Sequence, residues 1–328
     1  MVKENKYIDY LIIFLKVLLL SIALLYLFTY VFIVYNRIHY PYELEWMEGG
    51  SVDHVRRILS GDRLYVSPSL SFTPFIYTPL YFYISALVSL IFDIGFFPLR
   101  FVSLLSSLGC FIIIFLFVKR ETGNMLCGVL SSCLLAATFR ISGAWFDIAR
   151  VDSLFLLFLL SGIYIIRFGH SMGTAITAGI LMFLSFFTKQ TALLISLPLM
   201  VYFFYENRRT SIIFIGTFIS LVVISTLVFN WLHEGWYNYY IFDLPKQHSI
   251  NKSKILTFWI VDIIKPLSIA FLMSFFTILF QFTKSKNNDF IFYLMLSIGM
   301  IGASWLSILH SGGYNNVLFP AYSAISIL

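Results

Sequence analysis

Pro79-Leu-Tyr-Phe-Tyr-Ile-Ser-Ala-Leu-Val-Ser-Leu-Ile-Phe92 is an apolar run closed by a proline on one side and by Asp93 on the other. Whether it crosses a bilayer decides the side of every loop that follows. It offers about a dozen apolar residues, whereas roughly 20 are needed to cross a hydrocarbon layer about 30 Å thick. The run therefore reads as a re-entrant or interfacial helix. Loop charge agrees with this. If the run does not cross, the short loops with Lys119-Arg120, Arg167, Arg208-Arg209 and Lys284/Lys286 share the cytoplasmic side with Lys3 and Lys6. Basic loops favour that side. Arg140, Arg150 and Lys189 then lie near outer membrane ends.

Outward from this run the chain is that of a multi-pass helical membrane protein. Of its 328 residues 59% are hydrophobic and 12% charged, and the mean hydropathy is +0.88. Spans are expected at 11–35, 98–118, 124–142, 152–168, 173–187, 190–205, 211–232, 260–282 and 290–309, with one more from Val317. Alternating ten-residue strands, the mark of a membrane barrel, are absent. The first run is too long for a signal-peptide core and no small-residue cleavage site follows it, so it reads as an uncleaved anchor with a cytoplasmic N-terminus. The last run is cut at Leu328, which suggests a C-terminally truncated piece; residues 1–328 read as one domain without internal repeats. The net charge of +6 is spread over many loops, which excludes a nucleic-acid-binding face. Cys110, Cys127 and Cys133 fall inside spans, without metal or disulfide spacing.

On this topology the outer face carries two long loops, 36–97 and 233–259, and turns near 143–151, 188–189 and 310–316. Most acids collect there: Glu43, Glu45, Glu48, Asp53, Asp62, Asp147, Asp152, Glu234 and Asp243. Three of them crowd into Tyr42-Glu-Leu-Glu-Trp-Met-Glu-Gly-Gly50. Residues 49–60 have the pattern of a helix lying on the membrane, with Val52, Val55, Ile58 and Leu59 on one side. Gly61 is its expected stop, and Asp53 and Arg57 an expected surface pair. Glu45 and Glu48, three apart, share a face if that helix starts early. They are then either helix-start acids favoured by the dipole, or one of them is a general base or a metal ligand facing a site at the membrane edge.

Asp152 stands at a membrane edge, where a charge is costly and functional by default; Arg150 is either its partner or an anion ligand. Lys189, in the turn Phe187-Thr-Lys-Gln-Thr191, is either a snorkelling side chain or a phosphate-binding ammonium. Tyr77, Tyr81 and Tyr83 suit headgroup anchoring, stacking on a sugar or lining a lipid groove. His248, His310 and Tyr314 sit in the later outer segments, and the histidines lack metal-ligand spacing. No cofactor follows from the sequence, although the carboxylates leave a divalent cation open. Cations for a phosphate, aromatics for a sugar, a hydrophobic wall for a lipid tail and a carboxylate for a hydroxyl proton are the set that chemistry on a lipid-linked phosphate requires.

In order along the chain come the acidic motif, a helix ending Gly61-Asp-Arg-Leu-Tyr65, Ile76-Tyr-Thr-Pro-Leu-Tyr81, Arg150-Val-Asp152, Thr188-Lys-Gln190 and Gly312-Gly-Tyr-Asn-Asn316. This order resembles the GT-C glycosyltransferases of the dolichyl-phosphate-mannose–protein mannosyltransferase and lipid A aminoarabinose transferase type. The resemblance implies an all-α polytopic membrane fold, a GT-C-like bundle with two juxtamembrane helices in the first outer loop. It also implies inverting transfer of a sugar from a polyprenyl-phosphate carrier to a protein, lipid or glycan acceptor on the outer face of the plasma (inner) membrane. An acidic pair opens the first juxtamembrane helix in that family. Aligned on Gly61, the pair falls on Met47 and Glu48, so a methionine stands at the usual aspartate and Glu45 is the nearest replacement. The resemblance places Asp152 at the second acidic position and Lys189 at the lysine facing the carrier phosphate. The expected catalytic set is thus Glu48 as base, with Glu45 as its alternative, and Asp152. Lys189, Arg150, Tyr77, Tyr81, His248 and Tyr314 are the expected substrate contacts. The competing functions are a transporter or lipid flippase, which predicts mid-span charges and paired broken helices, and a non-catalytic component of a polysaccharide assembly system.

Overall fold

Inside a bilayer the backbone has only itself as hydrogen-bond partner, so long apolar runs become helices. The computed structural model describes residues 6–283 and 287–328; Lys3, Lys284 and Lys286, counted above among the cytoplasmic cations, lie outside them. Among the described residues nine helices come first: α1 (Lys6–Arg37), α2 (Glu48–Leu59), α3 (Leu80–Phe92), α4 (Phe96–Thr122), α5 (Met125–Ala137), α6 (Asp152–Phe168), α7 (Met172–Thr188), α8 (Ala192–Glu206) and α9 (Arg208–Leu232). Helices over Lys254–Thr283, Asn287–Leu309 and Phe319–Ile327 follow. β-pairing among the described residues is confined to an isolated antiparallel bridge between Ile250 and His310.

The chain is an all-α polytopic membrane protein. Five of the described helices are long and apolar enough to cross a membrane: α1, α4, α9, Lys254–Thr283 and the one ending at Leu309. Several expected spans are shorter. The run 124–142 ends as helix at Ala137 and continues as turns, where Gly143 and Ala144 take positive φ. At 1.5 Å per residue the 17-residue α6 and α7 reach roughly 25 Å. The loop 233–259 is mostly helical, in short α and π turns over 236–246 and again from Lys254. The 13-residue α3 is about 20 Å long, as is α5, both shorter than a hydrocarbon layer about 30 Å thick.

α4, α6, α7, α8 and α9 pack around one apolar core, with Ile114, Leu159, Met182, Leu199 and Phe214 fully buried. α7 approaches α9 closely at Gly179, where an added Cβ would stand 2.9 Å from Thr217 Cβ and 3.0 Å from the Phe214 carbonyl. Gly179→Leu should cost about 1–3 kcal/mol through overpacking. Its thermal midpoint in detergent would fall; an unchanged midpoint would mean the helices separate freely.

A second core lies over one end of the bundle, where Val52 and Val55 of α2 meet Tyr81 of α3, Leu99 of α4, Ala149 and Tyr237. The amphipathic helix expected at 49–60 is therefore present, one residue earlier, and its apolar stripe faces α3 and α4. Gly61 stops it with φ of +75°. The expected Asp53–Arg57 pair does not form. Asp53 pairs with Arg56 instead, while Arg57 donates to the Arg63 carbonyl and lies over the Phe72 ring.

His54 fastens α2 to the next loop. Its Nδ1 lies 2.6 Å from the Gly50 carbonyl and its Nε2 accepts from the Phe75 N–H at 2.9 Å, which fixes the neutral Nδ1–H form. Phe75 and Phe82 stack on the ring. Burial pushes its pKa down to about 4 from an ordinary 6.5. An unfolded loop takes up a proton below pH 6.5 that the folded one refuses, so the contribution of His54 is complete above 6.5 and lost as pH falls toward 4. Thermal midpoints measured from pH 7.5 to 4.5 should fall more steeply in the wild type than in His54→Phe. Parallel curves would dismiss the effect.

Candidate active site

Glu48 opens α2 with its carboxylate facing inward. Arg100, in the first turns of α4, grips it bidentately, Nε to Oε1 at 2.9 Å and Nη2 to Oε2 at 2.7 Å. Both side chains are 0% exposed. Oε1 also accepts from the Ala149 N–H at 2.8 Å and Oε2 from the Leu44 N–H at 2.6 Å. The same guanidinium donates to the carbonyls of Tyr40 and Tyr42 at 2.6 and 2.7 Å. Four donors surround the Glu48 carboxylate, two on each oxygen, so the expected base is enclosed by hydrogen bonds to the fold. Its observed work is to hold the 40–48 segment and the 145–151 turn together. Glu43 accepts from the Gly49 N–H at the start of α2.

That turn is pinned from three further sides. Arg37 at the end of α1 donates to Asp147 Oδ2 at 2.8 Å and to the Ala144 carbonyl at 2.6 Å. Ser153 Oγ donates to the Phe146 carbonyl, and Ser103 Oγ to the Arg150 carbonyl. The segment Ile76-Tyr-Thr78 is stitched to the turn between α7 and α8. Thr78 Oγ1 donates to the Phe186 carbonyl at 2.7 Å and Gln190 Nε2 to the Ile76 carbonyl at 2.8 Å. Two turns and one bent segment thereby bring Arg150, Asp152, Lys189 and Tyr77 together.

Arg150 is the centre. Its Nη1 donates to Glu45 Oε2 at 2.9 Å and to Met47 Sδ at 3.0 Å, and its Nη2 to the Tyr77 hydroxyl at 3.0 Å. Trp145 lies under the guanidinium at 4.8 Å. Desolvation pulls its pKa down, but Tyr77, Asp152 and Glu45 together outweigh that and hold it above the usual arginine value. Asp152 Oδ1 accepts from Lys189 Nζ at 2.5 Å and from Asn316 Nδ2 at 2.9 Å. Its Oδ2 lies 3.4 Å from Arg150 Nε. Four buried polar atoms here have no hydrogen-bond partner: Glu45 Oε1, Asp152 Oδ2, Arg150 Nε and Gln190 Oε1. An unsatisfied buried polar atom costs about 1–3 kcal/mol.

The structure thus brings together Glu45, Tyr77, Arg150, Asp152 and Lys189. Tyr314 stands at the rim, half exposed, its ring 6.3 Å from that of Trp145. Tyr81 is not part of the site. It is fully buried, and its hydroxyl bonds to the Leu99 carbonyl and Ser103 in the core between α3 and α4. His248 packs on His310 and the Gly312 turn; among the described residues no hydrogen bond or ion pair joins it to the cluster. Nor do the described residues hold any group of three or more His, Cys, Asp or Glu side chains able to bind a metal ion. Sequence reading missed Arg100, hidden in an expected span, and Asn316, an uncharged residue. A charge inside an apolar run is the signal that could have found Arg100.

Residues 76–231 match the family model described as dolichyl-phosphate-mannose-protein mannosyltransferase. The match includes Tyr77, Arg150, Asp152 and Lys189 and begins after the glutamate cluster. No curated protein matches the chain in sequence. ArnT from Cupriavidus metallidurans bound to undecaprenyl phosphate superposes with a TM-score of 0.66 at 14% identity, over 95% of this chain and 58% of that one. The apo state of the same ArnT gives 0.63 at 14% identity, over 98% and 59%. The chain spans under two thirds of the length of ArnT, and identity this low carries the fold alone. The helical architecture, the match over 76–231 and the ordered motifs agree that this chain has the fold of the GT-C glycosyltransferases.

Proposed function

We propose that the chain is a membrane glycosyltransferase that moves a hexosyl or pentosyl group from a polyprenyl-phosphate carrier to a hydroxyl acceptor, with inversion. One observation carries this reading: two cations and two carboxylates are buried in one connected cluster in which four polar atoms have no hydrogen-bond partner. Lys189 and Arg150 suit the carrier phosphate, while the unpaired oxygens of Glu45, Asp152 and Gln190 call for a ligand rich in hydrogen-bond donors, as a sugar is. Tyr77, Trp145 and Tyr314 offer rings to a sugar face.

Glu45 is the general base in this reading. Arg150 and the Met47 N–H hold its Oε2, and Oε1 is left to take a proton. The acceptor oxygen attacks the anomeric carbon and the carbon–oxygen bond to the phosphate breaks. The acceptor proton passes to Glu45, and the leaving phosphate charge falls on Lys189 and Arg150. Asp152 orients the cations. The site lies on the outer face of the plasma (inner) membrane, with the N-terminus in the cytoplasm. The test is incubation of the purified chain in nanodiscs with polyprenyl-phosphate-linked sugars and candidate protein, lipid and glycan acceptors. Free polyprenyl phosphate and glycosylated acceptor should appear in equal amounts. Substrate crossing the bilayer of proteoliposomes unmodified, with no transfer product, would replace this reading by transport.

A further inference from the structure

We propose that Asp152 is an internal occupant of the phosphate subsite, holding Lys189 while the site is empty and surrendering it when a phosphate ester binds. The inference rests on the carrier reading above. Glu45 and Asp152 contribute two negative charges and Arg150 and Lys189 two positive ones, so the empty cluster is neutral and offers an incoming anion no net attraction. Lys189, 7% exposed, spends a hydrogen bond on Asp152 Oδ1 at 2.5 Å. A phosphate placed against the same ammonium would meet a buried carboxylate of like charge, and low dielectric strengthens that repulsion. Exchange of partners avoids it.

Asp152 is equipped for the exchange. Asn316 Nδ2 keeps its hold on Oδ1 at 2.9 Å after the lysine leaves. Oδ2 and Arg150 Nε are 3.4 Å apart, and neither has a hydrogen-bond partner. A shift of a few tenths of an ångström would join them, so the carboxylate does not become an unpaired buried charge. The freed ammonium keeps the rings of Phe155 and Tyr77 within 5.7 and 5.9 Å. The exchange breaks and forms no covalent bond. Its consequence is kinetic: Asp152 competes with the spent carrier phosphate for Lys189 and so promotes its release after transfer.

The test is titration of the full chain in nanodiscs with farnesyl phosphate, a short polyprenyl phosphate, followed by tryptophan fluorescence. Asp152→Asn should bind roughly tenfold more tightly than wild type, a usual size for coupling between interacting sites. Lys189→Met should lose binding, and the double variant should match Lys189→Met. Unchanged or weaker binding by Asp152→Asn with a wild-type thermal transition would overturn the exchange and leave Asp152 a plain orienter of Lys189. Should Asp152→Asn fail to fold, the wild-type chain labelled with 13C-carboxylate aspartate decides. Its infrared difference spectrum on adding farnesyl phosphate must contain a moving aspartate carboxylate band; a silent spectrum at saturation overturns the proposal. Absence of saturable binding by the wild type would instead count against the carrier reading itself.

Discussion

Arg100→Met should destabilise the chain by about 3–5 kcal/mol, the usual cost of stranding one member of a buried ion pair. Glu48 and Arg100 are both 0% exposed, so water cannot replace the missing partner. The substitution also removes the donors to the Tyr40 and Tyr42 carbonyls, and with them the tether of the segment that carries Glu45. Denaturant or thermal midpoints in detergent measure the loss. Combining Arg100→Met with Glu48→Gln should recover part of it, because the uncompensated charge is then gone. A single variant within 1 kcal/mol of wild type, the range of ordinary surface ion pairs, would show that the pair does not hold the loop.

The largest catalytic effect is expected at Glu45. Glu45→Gln preserves volume and can still accept from Arg150, but it cannot take a proton from an attacking hydroxyl. Turnover should fall by about 10²–10⁴, the usual share of a positioned acid or base. The chain should stay folded, since Arg100 and Glu48 are untouched, with a lowered thermal midpoint because Arg150 loses its buried carboxylate partner, and carrier binding should be retained or strengthened, because the cluster then carries a net positive charge. The contrasting variant Glu48→Gln should lose stability first, because four donors surround that carboxylate. Full turnover by Glu45→Gln with retained carrier binding would remove Glu45 from the chemistry and leave Asp152 Oδ2, the other carboxylate oxygen here without a hydrogen-bond partner, as the base.

The helices and the neighbourhood of the site were legible in the sequence because both follow from local physics. Apolar runs must form helices in hydrocarbon, α3 is shorter than its thickness, and charges such as Asp152 and Lys189 beside apolar spans are costly without a task. The amphipathic stripe of α2 and its glycine stop needed nothing beyond spacing. The partition of the glutamates between structure and chemistry did not follow from spacing. Glu48 was the natural choice as base on position alone; what encloses its carboxylate is Arg100, 52 residues away, and the Ala149 N–H, 101 residues away. Asp152 owes its state to Lys189 and Asn316, 37 and 164 residues distant. The sequence by itself determined a helical membrane chain and singled out Arg150, Asp152 and Lys189 as charges beside apolar spans. The tertiary structure alone decided which of those charges are saturated and which retain a free oxygen or nitrogen, because satisfaction of a buried polar group depends on contacts across the fold that no local pattern encodes.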